Sequence, residues 1–345
     1  MLLHGNTAMK RCAYILVMPL ALSLLSCQSQ SWGKFWETGT TSPITCATDV
    51  AADTLSMICI PANTTGFLRG WDPGALATPA HTVASITAFA MAKYEVQYGD
   101  WLTVKTWATS NGYTFANPGV QGNNGAQTNQ HPVTTVNWRD AIIWCNAASE
   151  KQGLAPVYFT NAGFTTPLKI STNTASVNGT AGSEDTPYVN WSANGFRLPT
   201  EAEWEYVARY IDGTTFMRGD APSGWQDNNT VNATVDTAEN NAVAWYTTNS
   251  GASTHVVGTA LGNALGLFDM SGNVNEWVWD WNGTYTTGTP YTDTDSKGPT
   301  TGTARVIRGG SWSSAATLLR GANRSNNNTP WYTGNNIGFR PVRRP

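Results

Sequence analysis

The side chains that could do covalent or metal chemistry are few, and their positions suit little of it. The chain has five cysteines, and none follows Cys145. Its histidines, His4, His81, His131 and His255, show no ligand spacing. No Gly-x-Ser-x-Gly elbow and no phosphate loop occurs. One group of amide-, hydroxyl- and ring-bearing residues stands out: Asn323, Ser325, Asn326, Asn327, Asn328, Trp331, Tyr332, Thr333, Asn335 and Asn336. Amides and hydroxyls both donate and accept hydrogen bonds, and aromatic rings supply contact area. This set suits recognition more than reaction. The reading is of a binder without a cofactor, with structural calcium left open.

The rest of the chain must hold such a face in place. Its 345 residues permit one large domain or two small ones. Charged residues are 12% of the total, about half the usual share. A net charge of -3 offers no basic field to nucleic acid. Low charge is not disorder here, because 16 Trp, 12 Tyr and 10 Phe accompany 33 Gly. That is the composition of an irregular, loop-rich globule with aromatic anchors.

The first segment is an address. Lys10-Arg11 precedes an apolar run, Ala13–Leu25, too short for a membrane-spanning helix but right for a signal peptide. It ends Leu24-Leu25-Ser26-Cys27, which resembles a lipobox. Residues 1–26 then form the signal, Cys27 carries lipid, and 27–45 form a polar tether. Each buried acyl CH₂ anchors by about 0.8 kcal/mol. The expected location is the outer membrane, lipid-anchored and surface-exposed. Cys46, Cys59 and Cys145 are left, an odd number. Cys46 and Cys59 flank a hairpin-like stretch, Thr45–Ile60, where a disulfide is open. Cys145 reads as a small buried hydrophobe.

Helical signals are short. Tyr98–Ser110 stops at Asn111-Gly112. Asn137–Gln152 begins with a capping Asn137 and puts Ala141, Trp144, Cys145 and Ala148 on one face. Thr200-Glu201-Ala202-Glu203 is a capping box opening Glu201–Tyr210. Val157–Phe159 and Lys169–Ser171 read as strands, and Gly179–Tyr188 as an exposed loop.

Several segments, in order, resemble one family. They include Ser56-Met57-Ile58-Cys59-Ile60-Pro61-Ala62, Met91-Ala92-Lys93-Tyr94-Glu95-Val96 and His131-Pro132-Val133-Thr134-Thr135-Val136-Asn137-Trp138. Phe196-Arg197-Leu198-Pro199-Thr200-Glu201-Ala202-Glu203-Trp204 and Gly266-Leu267-Phe268-Asp269-Met270-Ser271-Gly272-Asn273 follow. Arg308-Gly309-Gly310-Ser311-Trp312 and Gly338-Phe339-Arg340 close the series. The chain resembles the formylglycine-generating-enzyme, or sulfatase-modifying-factor, family over about residues 56–343. The resemblance implies an α+β domain of C-type lectin-like fold with little regular secondary structure, over 46–345. Asp269, Asn273, Glu276, Arg308, Arg320, Arg324 and Arg340 then read as scaffold that satisfies buried backbone groups.

The resemblance also implies chemistry that this chain lacks. The family's oxidase binds copper with two cysteines just after Arg-Gly-Gly-Ser. Here one would fall near Ser314 and the other between Ala315 and Leu319, and neither is cysteine. Relatives that make sulfoxides hold iron with three histidines, which the histidines here do not match. The resemblance implies a family calcium site at Asn273-Val274-Asn275-Glu276, where Asn273 and Glu276 could give two oxygens to a cation that wants several. But Asn275 stands where the family usually has Trp; equally, Glu276 could accept backbone N–H groups or pair with an arginine. Residues 312–336 correspond to the substrate groove and are rich in Asn. In this they resemble the variable regions of diversity-generating-retroelement target proteins, whose template adenines scatter Asn codons. Trp331 cannot arise from such a codon and would be framework or come from another. The function expected is a non-catalytic surface lipoprotein binding a protein or other macromolecular ligand through this face. An exported oxidase and a calcium-dependent sugar lectin are the alternatives.

Overall fold

The computed structural model describes residues 55–71, 80–123, 128–225, 237–284 and 296–345. Of two compact units, Met1–Ser42 and Pro43–Pro345, only the second contains described residues. The signal segment 1–26, Cys27, the tether 27–45 and Cys46 lie outside them.

Two four-stranded sheets carry the framework. The first joins β1 (Met57–Ile60), β4 (Phe89–Ala92), β14 (Val342–Arg343) and β9 (Phe196–Arg197), in that order and antiparallel. It ties the start of the domain to its end. The second has the order β12 (Arg324–Asn328), β11 (Arg305–Arg308), β10 (Asn275–Trp281) and β13 (Ile337–Phe339). β13 runs parallel to β10, and the other neighbours are antiparallel. Three ribbons pair β2 (Phe67–Arg69) with β3 (His81–Val83), β5 (Val120–Gln121) with β6 (Val133–Thr134), and β7 (Tyr158–Phe159) with β8 (Tyr188–Val189).

The described helices are α1 (Tyr98–Thr109), α2 (Trp138–Lys151), α3 (Glu201–Arg209) and a short α4 (Thr237–Val243). α2 and α3 start where capping chemistry puts them. At α2, Asn137 Oδ1 accepts from Asp140 N (2.8 Å), and the Asp140 carboxylate accepts from Asn137 N (3.2 Å). At α3, Thr200 Oγ1 accepts from Glu203 N (3.1 Å), and Glu203 accepts from Thr200 N (2.8 Å). Each box satisfies two backbone donors that the first turn leaves free. Trp101, Trp144 and Phe339 pack between α1, α2 and the second sheet. A second cluster joins Phe89, Met91, Trp204, Val207, Leu267 and Val278.

Three expectations need correction. The apolar stripe of α2 is too narrow, because every residue from Trp138 to Ser149 is buried. Burial all round is tolerated because polar residues have partners. Asn146 accepts from Val157 N and Tyr158 N (both 3.0 Å) and donates to the Tyr158 and Leu168 carbonyls (2.7 and 3.0 Å). Lys169–Ser171 forms no strand; Ile170 makes a single bridge to Thr114, and its side chain is exposed. Gly179–Tyr188 is not a free loop. Its Asp185 is fully buried and forked by Arg139 (both bonds 2.7 Å), and Tyr188 opens β8. A buried charge persists only when paired. Met57–Ile60 pairs with Phe89–Ala92, and the first part of the hairpin-like stretch Thr45–Ile60 lies outside the described residues. Cys59 is disulfide-bonded, and since Cys145 is a free buried thiol, its partner lies outside the described residues. Burial pushes the Cys145 thiol up, as befits a buried small hydrophobe.

A candidate ligand-binding face on an arginine frame

Residues 312–336 cross the second sheet between two anchored ends. At the near end, Gly309 and Gly310 turn with φ of 92° and 75°, angles that favour glycine. Arg308, fully buried, donates to the Glu205 carboxylate, to Gly321 O (3.0 Å) and to Asn323 O. Arg324 forks Glu201 (both bonds 3.0 Å) and donates to Gly283 O (2.7 Å). Burial disfavours the Glu201 carboxylate, but Arg324, Arg69 and Arg308 outweigh it and hold its pKa below the usual range. At the far end, Trp138 N donates to Pro330 O (3.1 Å), Thr135 N to Gly334 O (3.0 Å) and Asn275 N to Asn336 O (2.8 Å). Arg340 then locks onto Glu276.

Between these anchors lie the residues expected to meet a ligand. Tyr332 and Asn335 are exposed, and Asn323, Ser325, Asn328, Trp331, Thr333 and Asn336 are half-buried. Asn326 and Asn327 lie in β12; their side chains are outside the described set. The register of β12 on β11 slips between Arg305 and Ile307, a bulge. Asn328 consequently reaches Ser325 Oγ (3.2 Å). Asn335 donates to Asn123 (2.9 Å), and Asn336 to Ser313 (3.4 Å). Trp331 lies 5.6 Å from the buried Arg139 guanidinium. Asn323 is turned back to its own loop, donating to Leu318 O (3.2 Å).

The scaffold residues divide. Arg308, Arg324 and Arg340 do hold buried carboxylates. Arg320 only donates to Thr317 O of its own turn (2.6 Å). In α3, Glu201 pairs Arg324 and Glu205 pairs Arg308; the sequence marks Glu201 only as part of a capping box and gives Glu205 no role. Nothing in the sequence sets Asn123 apart from its Gly/Asn neighbours.

The calcium question has a geometric answer at Asn273 and Glu276. Asn273 Oδ1 accepts from His255 N (2.9 Å), and its amide donates to Glu95 (2.6 Å). Glu276 is forked by Arg340 (3.0 and 2.7 Å) and also accepts from Trp204 Nε1 (2.7 Å). Oxygens turned to protein donors do not fit calcium, and the arginine-pairing alternative describes Glu276. Nearby Asp269, at φ 58°, accepts from Gly258 N (2.6 Å) and is pushed up to about 6 by burial. Burial, with Asp269 and Glu276 close by, also raises Glu95.

The oxidase positions hold no thiol. Ser314 is buried and accepts from Ser311 N (2.9 Å), and Ala316–Leu318 form a 3-10 turn followed by buried Leu319. Among the described residues, His81 bonds Arg69 (2.9 Å), His131 contacts Thr254 (3.2 Å), and His255 stacks on Trp245 (3.7 Å). Burial, together with His255, disfavours the charged form of His131.

A short-stranded α+β domain with this arginine frame defines a sulfatase-modifying-factor scaffold, and the chain belongs to that family. The model of the sulfatase-modifying factor enzyme 1-like domain matches residues 46–345. Among solved structures it is similar to Treponema denticola variable protein 1, at 32% identity, covering 84% of this chain and 95% of that one, with a TM-score of 0.66. Among sequences it is 32% identical to the chaperone protein LppX of Paenibacillus barcinonensis, over 67% of this chain and 71% of that one. It is 41% identical to the formylglycine-generating enzyme of Streptomyces coelicolor, over 45% of this chain and 48% of the enzyme.

Proposed function

We propose that this protein is a non-catalytic, lipid-anchored surface protein that binds a macromolecular ligand through residues 312–336. The observation that carries the reading is the division of labour along that stretch. Of the two charged side chains inside it, Arg324 turns to the frame and Arg320 to its own turn, and amides, hydroxyls and rings are left half-exposed between two anchored ends. Substitution at such positions costs within about 0.5 kcal/mol, so the face can change while the fold stays. The likeness to Treponema denticola variable protein 1 supports a scaffold that tolerates variation there. Catalysis of the copper type is disfavoured because no cysteine follows Cys145. The test is a pair of variants differing only at Ser325, Asn326, Asn327, Tyr332, Thr333 and Asn335. Equal melting with different captured partners is the expected result. Identical partners for both would refute the assignment of the face.

A further inference from the structure

Four stretches contain no Asp, Glu, Lys or Arg: residues 106–138, 240–268, 309–319 and 325–339. Together they make up about a quarter of the chain. They are far apart in sequence, and hydrogen bonds bring all four together. Trp312 Nε1 donates to Asn335 O (3.2 Å). Asn335 Nδ2 donates to Asn123 Oδ1 (2.9 Å). Asn123 N donates to Thr254 Oγ1 (2.9 Å), and its carbonyl accepts from Ser253 Oγ (2.7 Å). Ser250 Oγ donates to Trp312 O (2.8 Å) and closes the ring. The same turn ends at His255, whose ring lies on Trp245 at 3.7 Å and 11°. Both rings, and Trp312, are half-buried. Among the described residues, the charges that border these stretches are engaged by the protein: Arg324 by Glu201, Arg320 Nε by Thr317 O, Arg139 below Trp331 by buried Asp185, and buried Glu95 by Asn273 Nδ2 and Val274 N.

Building on the ligand-binding face proposed above, we infer that it takes an uncharged, hydroxyl-rich glycan without a cation, and that Asn123 and the Trp245–His255 flank form its constant half. The argument is one of desolvation. About a quarter of a protein's residues are charged. Covering those with a face that offers no counter-charge strips them of water uncompensated, which is costly. A neutral glycan has no charge to strip. Its hydroxyls both donate and accept, as do Asn amides. Its C–H faces fit flat rings such as Trp312 and Tyr332. Calcium is not needed to hold the hydroxyls, because the Asn335 amide is already held on Asn123 and the Asn336 amide on Ser313.

The experiment immobilises the mature lipid-free chain and offers neutral polysaccharides (glucan, mannan, galactan), acidic hyaluronan and a surface-protein extract. Capture is measured at about 0.05 and about 1 M NaCl, where screening lengths differ several-fold, with and without EDTA. At least one neutral polysaccharide should bind, changing less than about twofold with salt or chelator. Asn335→Ala and Trp245→Ala should each weaken it about tenfold. Asn335 is exposed, so its variant guards against misfolding as the cause. Capture of acidic glycan alone, loss in EDTA, or no glycan binding overturns the inference. A protein captured instead, and lost in Asn335→Ala, refutes the glycan but leaves the binding face standing. A neutral glycan held equally by both variants and wild type puts the site elsewhere and refutes both readings.

Discussion

Arg324→Ala cuts the strongest tie between the candidate face and its frame. Arg324 forks Glu201 with two bonds of 3.0 Å and reaches Gly283 O at 2.7 Å. The Glu201 side chain is 1% exposed and that of Arg324 10%. Removing one partner of a buried pair costs roughly 3–5 kcal/mol, because the other charge is stranded. Arg308 stays 3.7 Å from Glu201 and softens the loss, so about 3 kcal/mol is expected. For a domain of this size that lowers the melting midpoint by about 6 °C. Asn335→Ala, on the exposed part of the face, should stay within about 0.5 kcal/mol, or about 1 °C. The sign with pH is fixed by Glu201, whose folded pKa is depressed. Its stabilisation is present above the unfolded value near 4.3 and is lost as pH falls through the folded one. The gap between wild type and Arg324→Ala should therefore close in acid. Differential scanning calorimetry of both variants at pH 7 and in acid is the assay. Midpoints for the two variants within about 1 °C of each other at pH 7 would refute the division between frame and face.

Other outcomes follow from the same geometry. Asp269 is raised to about 6 by burial, so the folded state holds its proton more tightly than the unfolded state and stability drops as pH climbs from about 4 to about 6. Asp269→Asn keeps the Gly258 bond and suits φ 58°; it should raise the melting midpoint at pH 8 and leave it unchanged near pH 4. Cys27→Ala should abolish fatty-acid labelling in cells, and equal labelling would remove the lipid anchor from the proposal. Incubating the domain with Cu(I), oxygen and a cysteine-bearing sulfatase peptide should leave the peptide mass unchanged, since Ser314 and Leu319 hold no soft metal.

Local chemistry was legible where a few residues settle it. Asn137 and Thr200 announce helix starts because capping needs only a side chain and a backbone N–H three residues on. The pairing of β1 with β4, or of Glu201 with Arg324, was not legible in the same way. Those contacts join residues whose closeness depends on the whole fold, and a Glu in a capping box looks like any other. Arg320 and Arg324 show the limit clearly. Both are arginines in an Asn-rich stretch, and both read as frame. Only Arg324 meets a buried carboxylate, because β12 presents it to α3 while Arg320 sits on a turn facing its own carbonyl. The candidate face was visible in the sequence only as composition. The flank proposed for it was not, because Asn123 and Ser250 become neighbours of Trp312 and Asn335 only when the loops fold together.

Among the described residues, β12 lies at the rim of its sheet, with β11 on one side. A rim strand offers its outward backbone to any other extended chain, including another copy of itself. Asn-rich sequence aggravates this, because stacked amides form ladders in fibrils. A segment open to substitution in such a place must remain soluble whichever side chains it receives. The slipped register between Arg305 and Ile307 provides that safeguard through the backbone. It twists the rim and spoils the straight template that self-association needs, whatever residues occupy 325–328.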